Sequence, residues 1–190
     1  MKKYIILILM SLVVFSAYSQ EENSVDSKTT KKLTKQQKLE QRRAEEEATA
    51  KLVDWMVEQK RFVVEADYLS NQTGERINVS SMLNFIVVDS SKITIQIAST
   101  TGIGGPNGMG GVTTEGSISR FEIKKIGKTK NSYSIRLFTM TTLGSYDIFL
   151  NISPNGNTDA SLSGNGGGRL NYHGVIVPIK KSRVFKGMSI

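Results

Sequence analysis

Two periodicities divide this sequence. Over residues 34–61 the apolar positions Ala48, Leu52, Trp55 and Met56, with Val53 and Val57 beside them, recur at helical spacing. The stretch holds no Gly or Pro and is rich in Gln, Glu, Lys, Arg, Ala and Leu. Thr34 with Gln37 three positions on fits a capping box, and Lys60 and Arg61 suit the carbonyl end of a helix dipole. The pattern predicts a charged amphipathic helix over 34–61, of which only the second half has an apolar stripe to dock on a core. Beyond Arg61 the period falls to two and remains so. It predicts strands over 62–68, 85–89, 92–98, 112–126, 132–140, 146–152, 159–162, 169–177 and 183–185, with no helix between them. Turn residues separate these runs, among them Asn71 to Gly74, Asp89 to Ser91, Gly127-Lys128, Leu143-Gly144, Pro154 to Asn157 and Gly164 to Gly168.

Short links between successive strands require antiparallel neighbours, and such a chain of hairpins hides its edges by closing or by splitting into two packed sheets. The expected fold is therefore all-β, an antiparallel meander of eight or nine strands closing as a lipocalin-like barrel over 62–190, preceded by one N-terminal helix. A two-sheet β-sandwich is the alternative, because alternation does not reveal whether the first and last strands pair.

The segment before the helix has its own patterning. Lys2 and Lys3 precede an apolar run from Tyr4 to Phe15 and the small-residue stretch Ser16, Ala17, Tyr18, Ser19, the layout of a secretory signal peptide over residues 1–19 with cleavage before Gln20. An uncleaved anchor is the bland reading, although the run is short for a span. The expected location is the periplasm or the exterior, with no transmembrane span in the mature chain. Residues 20–33 carry almost nothing apolar and read as a flexible lead-in.

Composition narrows the chemistry. The 190 residues are 38% apolar and 22% charged with 17 glycines, which excludes a wholly disordered chain and a collagen. No cysteine is present, so disulfides, iron–sulfur clusters and thiol nucleophiles are excluded, and His173 is the one imidazole. No metal site and no cofactor are expected. The net charge of +8 becomes +6 without Lys2 and Lys3, and residues 62–190, with thirteen basic and eight acidic groups, hold most of it. Two clusters carry it: Arg120, Lys124, Lys125, Lys128 and Lys130, and Lys180, Lys181, Arg183 and Lys186. They suit phosphate, an anionic polysaccharide or a lipid headgroup surface, or simply form a solvated face. No aromatic platform is interleaved with the lysines, and nucleic acid is not an expected partner.

Among motifs, the run from Thr101 to Gly111 has six glycines in eleven residues. It lacks the Gly-Lys-Ser/Thr of a phosphate loop, and a strand follows it, so it reads as a long loop using positive φ or as a flap at a barrel mouth. Asn107, Gly108, Gly110 and Gly111 are its candidate ligand-binding residues. Glu115, the carboxylate inside the uncharged run that follows, is a candidate for pointing into the interior, against the plainer reading of an outward, solvated group. Asn155, Asn157 and Asp159 alternate as in a calcium loop but offer one carboxylate, so a hairpin turn is the better reading. For His173, no G-x-S-x-G elbow accompanies it, and a serine–histidine–acid arrangement would need partners that sequence does not place.

Residues 62–187 resemble the domain of unknown function 4251 family of exported bacterial proteins. The matching landmarks are Asn84-Phe85, Gln96, Asn107-Gly108, Gly110-Gly111, Thr114-Glu115-Gly116, Gly156-Asn157, the run Gly174 to Pro178 and Val184 to Gly187. The resemblance implies an envelope location and a barrel of lipocalin-like topology, and assigns no catalytic residue. Three functions follow, in order. The first is a non-enzymatic, monomeric envelope barrel that binds an apolar or amphipathic small molecule or a partner. The second is a scaffold acting through the charged helix. The third is a glycan hydrolase using Glu115 with a second carboxylate.

Overall fold

A computed structural model describes residues 23–98, 110–127 and 131–189, with side chains from residue 34 onward. The expected signal peptide, its cleavage point at Gln20, Asn107, Gly108 and Lys128 lie outside the described residues. The chain divides into two compact units after Glu45, and residues 46–190 hold the whole core.

Helix α1 runs Asn23–Gln59. It starts well before Thr34, so part of the expected lead-in is helical and Thr34 lies inside the helix rather than capping it. The absence of Gly and Pro lets an established helix propagate through these residues. The docking stripe is also rotated from the expected one. Val53, Met56 and Val57 are buried with Leu52 packed beside them, whereas Ala48 is exposed and Trp55 is 50% exposed. Lys60, at φ +54, takes the left-handed conformation that ends the helix, its amide donating to the Val57 carbonyl at 3.2 Å.

Nine strands follow: β1 (Arg61–Asn71), β2 (Arg76–Asn78), β3 (Phe85–Asp89), β4 (Lys92–Ile97), β5 (Val112–Ile126), β6 (Ser132–Thr141), β7 (Gly144–Ile152), β8 (Asn157–Gly164) and β9 (Arg169–Val177). β1 pairs with β3 through residues 61–65 and with β2 through 68–70 on one edge, and with β9 on its other edge. That last ladder closes an eight-strand antiparallel barrel, leaving β2 as an added strand and replacing the sandwich alternative. All pairs are antiparallel because the links are short. β2, exposed at every residue, shows no alternation and is not anticipated from the sequence. Residues 183–185 form no ladder. The tail instead turns through a 3-10 element (Ile179–Lys181) and is held along the outer surface by side chains.

The core is made by the alternate strand positions that face inward: Val64, Ala66, Ile86, Val88, Ile93, Ile95, Ile135, Leu137, Ile148, Leu150, Ile176 and the fully buried Tyr172. Val53, Met56, Val57 and Phe62 belong to the same cluster, so the end of α1 plugs one mouth of the barrel. Asp54 fixes the plug by accepting hydrogen bonds from Tyr133 Oη and Asn131 Nδ2, each at 2.8 Å. Burial, and then the adjoining Asp54 carboxylate, hold the Tyr133 phenol well above its ordinary pKa. The seam between β1 and β9 needs glycine at residue 174, where a Cβ would stand 1.9 Å from the Glu65 carbonyl oxygen.

Candidate functional site

Since strands alternate direction, the ends opposite the helix plug gather the β4 exit, the β5 entry and the β6–β7 and β8–β9 turns. A cavity of about 440 Å³ lies there. Its walls are largely apolar, formed by Ile95 and Ile97 of β4, Val112 of β5, Leu162 of β8 and Leu170 of β9, with Tyr146 and Leu143 from the β6–β7 hairpin. Polar groups are few. Thr114, Ser145 and Asn165 supply them, and Arg169, exposed at the rim, is the one charged residue among those lining the cavity. Among the described residues the barrel is thus packed through its middle and at the helix end, and hollow at the opposite mouth.

Of the sequence-predicted site residues, the structure brings Gly111 and Gly110 to this mouth, where the segment after Ile97 returns to Val112. Gly111 must be glycine, since a Cβ would meet the Ile97 carbonyl oxygen at 1.8 Å, and Gly110 has φ +75. Glu115 does not point into the interior. It pairs with Thr94 on the outer surface, where it forms a salt bridge with Lys186 and accepts from Thr94 Oγ1. The reason is the pleat: Val112 and Thr114 face the cavity, which sends Thr113 and Glu115 outward. The two basic clusters also part. Arg120, Lys124 and Lys125 lie on the second half of β5, Arg120 near Glu122 at 3.8 Å, whereas Lys180 and Lys181 stand on the 3-10 turn beside β1, followed by Arg183. β5 and β1 are separated by β4 and β3 in the sheet. Among the described residues no group of three or more acidic or histidine side chains is placed to hold a metal. Asn155 makes a turn, its Oδ1 accepting from the Asn157 amide.

The family model described as "Domain of unknown function (DUF4251)" matches residues 41–176. The chain belongs to the domain of unknown function 4251 family. A crystal structure of a family protein from Bacteroides eggerthii is similar to it at 26% identity, with a TM-score of 0.60, over 75% of this chain and 95% of that one. No curated protein matches.

Several landmarks of the domain of unknown function 4251 family converge in space outside the cavity. Gln96, fully buried on the outer side of β4, donates through Nε2 to the carbonyls of Leu83 and Phe185 and accepts through Oε1 from Thr113 Oγ1 and the Gly187 amide. Asn84 accepts from the Ala98 amide and donates to the Ser80 carbonyl. One glutamine therefore straps the C-terminal segment across β3, β4 and β5, although Val184 to Gly187 lie beyond the family match. In the sequence Gln96 stands out as a landmark of the resemblance and as a polar residue in an Ile-rich strand, but its four partners do not.

A second polar constellation occupies the outer side of the β1–β9 seam. His173 on β9 faces Tyr68 on β1 across the ladder, and their rings stack at 4.4 Å. His173 Nδ1 meets Asp159 Oδ1 at 2.6 Å, and Nε2 meets Ser70 Oγ at 3.0 Å. Asn171 Nδ2 donates to the same Ser70 oxygen at 3.3 Å. Asp159, once grouped with the turn asparagines, is thus the partner of His173. Ser70 carries no signal in the sequence, because its place beside His173 comes from a ladder joining residues about a hundred positions apart.

Proposed function

We propose that this barrel is an exported envelope protein that binds an amphipathic small molecule at its open mouth, with an apolar tail in the cavity and an anionic head at Arg169. The observation that carries the reading is the cavity of about 440 Å³ walled by Ile95, Ile97, Val112, Leu162 and Leu170, a volume within the ordinary range of small-ligand sites. The lipocalin-like character rests on the same arrangement, an eight-strand meander closed at one end by a helix and hollow at the other. Export rests on the N-terminal patterning of Lys2, Lys3 and the apolar run that follows.

The test is displacement of 1-anilinonaphthalene-8-sulfonate by dodecanoate and by dodecanol. Leu170→Trp, which fills the cavity, should weaken both lipids at least tenfold while the far-ultraviolet circular dichroism is unchanged. Arg169→Glu should weaken dodecanoate and leave dodecanol alone. Equal affinities in wild type and Leu170→Trp would defeat carriage at this mouth.

A further inference from the structure

The Ser70, His173 and Asp159 side chains have the connectivity of an activated serine. A carboxylate only accepts hydrogen bonds, so in the neutral imidazole the Nδ1 hydrogen is committed to Asp159. Nε2 is then left with its lone pair toward Ser70 Oγ at 3.0 Å, the tautomer a general base requires. The ring is held on its face by Tyr68, which also has the Arg76 guanidinium at 5.1 Å from its ring centre. Asp159 thereby acts as a positioning residue, fixing both tautomer and orientation.

The surroundings define what such a serine could accept. Ser70 lies within the ladders of both β2 and β9, so a donor for a developing oxyanion must come from a side chain. Asn171 Nδ2, 3.3 Å from Oγ, is the group in reach. Ser70 is only 7% exposed, which excludes a bulky acyl group and restricts the site to a short one. Asp159 is exposed, so the alcohol portion would lie in solvent on its side.

We propose that Ser70 is an acyl-accepting nucleophile served by His173, with small acyl esters such as acetyl esters as the substrate class. Oγ would attack the ester carbonyl carbon as its proton passes to His173 Nε2. The ester C–O bond then breaks, and the leaving alkoxide takes that proton back. Water, deprotonated by the same nitrogen, hydrolyses the acyl-serine and restores the hydroxyl. This site lies on the outer wall, so it stands or falls independently of the cavity.

The experiment treats the full chain with a fluorophosphonate and locates the adduct by peptide mass spectrometry, with acetate release from 4-nitrophenyl acetate in parallel. The expected result is a single adduct on Ser70, formed at least a hundredfold more slowly in His173→Gln. Asp159→Asn, at an exposed position, should slow labelling at least tenfold without moving the probe concentration for half-maximal rate, which a merely structural role would not produce. Folding of each variant is checked by Trp55 emission. Folded wild-type protein that gives no Ser70 adduct, or a Ser70 adduct forming equally fast in His173→Gln, overturns the proposal.

Discussion

Gln96 illustrates how much one buried polar side chain can hold. Four protein groups, two carbonyls, one hydroxyl and one amide, meet its single amide. Gln96→Ala leaves those groups short of partners in a water-poor place, where each unmet group costs on the order of 1–3 kcal/mol, partly relieved once the tail lifts and water enters. The expected loss is about 3 kcal/mol in urea unfolding, with the Gly187 amide exchanging faster while the barrel amides keep their protection. The tyrosines give a pH dependence of definite sign. Burial holds the Tyr172 phenol above its ordinary value of 10.0, and burial together with Asp54 does so for Tyr133. Both folded values are raised and the neutral form is favoured in the native state, so their contribution is intact below pH 10 and is lost progressively above it. Thermal melts should therefore fall as pH rises past about 10, and Tyr133→Phe should flatten that fall.

At the scale of elements, the predicted strands over 85–89, 112–126 and 169–177 agree with β3, β5 and β9 residue for residue. Each has an alternating or continuously apolar run bounded by Gly, Pro, Asn, Asp or Ser, and local signals of that kind survive folding because they describe which face is buried. What failed locally failed for a tertiary reason. β2 is a strand only because the second half of β1 offers it an edge, and Ile77, its apolar residue, is 60% exposed. Trp55 was placed in the docking stripe by hydrophobicity, yet the plug turns Val53, Met56 and Val57 inward because these fit the space beside Phe62. The candidate site divides the same way. The mouth was legible as a place, since the glycine-rich run had to join two strands there. Its walls were not, because Ile95, Leu162 and Leu170 look like any core residues. For Glu115 the plainer of its two readings, an outward carboxylate, is the one found, and a two-residue period counted from Thr114 selects it over the interior one. The seam constellation at Ser70 and His173 could not be read at all without knowing that β1 pairs β9.

For the molecule as a whole, the position of the core decides which parts of the chain are required for folding. Every buried apolar side chain among the described residues lies at or beyond Val53, and residues 34–48 are exposed. Removing residues 1–45 therefore leaves every one of those buried side chains in place, and changes confined to exposed positions shift stability by about 0.5 kcal/mol or less. Removing residues 1–59 is a different operation. It deletes Val53, Met56 and Val57, fully buried side chains each contributing roughly 1.5–3 kcal/mol. It also leaves Tyr133 without Asp54 and uncovers Phe62 at the plugged mouth. The combined loss, about 5 kcal/mol or more, is comparable with the whole stability of an ordinary domain. Urea titrations of the three chains should give coincident midpoints for residues 1–190 and 46–190, and no cooperative transition for 60–190. A cooperative 60–190 fragment with an unchanged midpoint would mean that the eight strands close without a plug, and that both mouths, not one, are free to take a ligand.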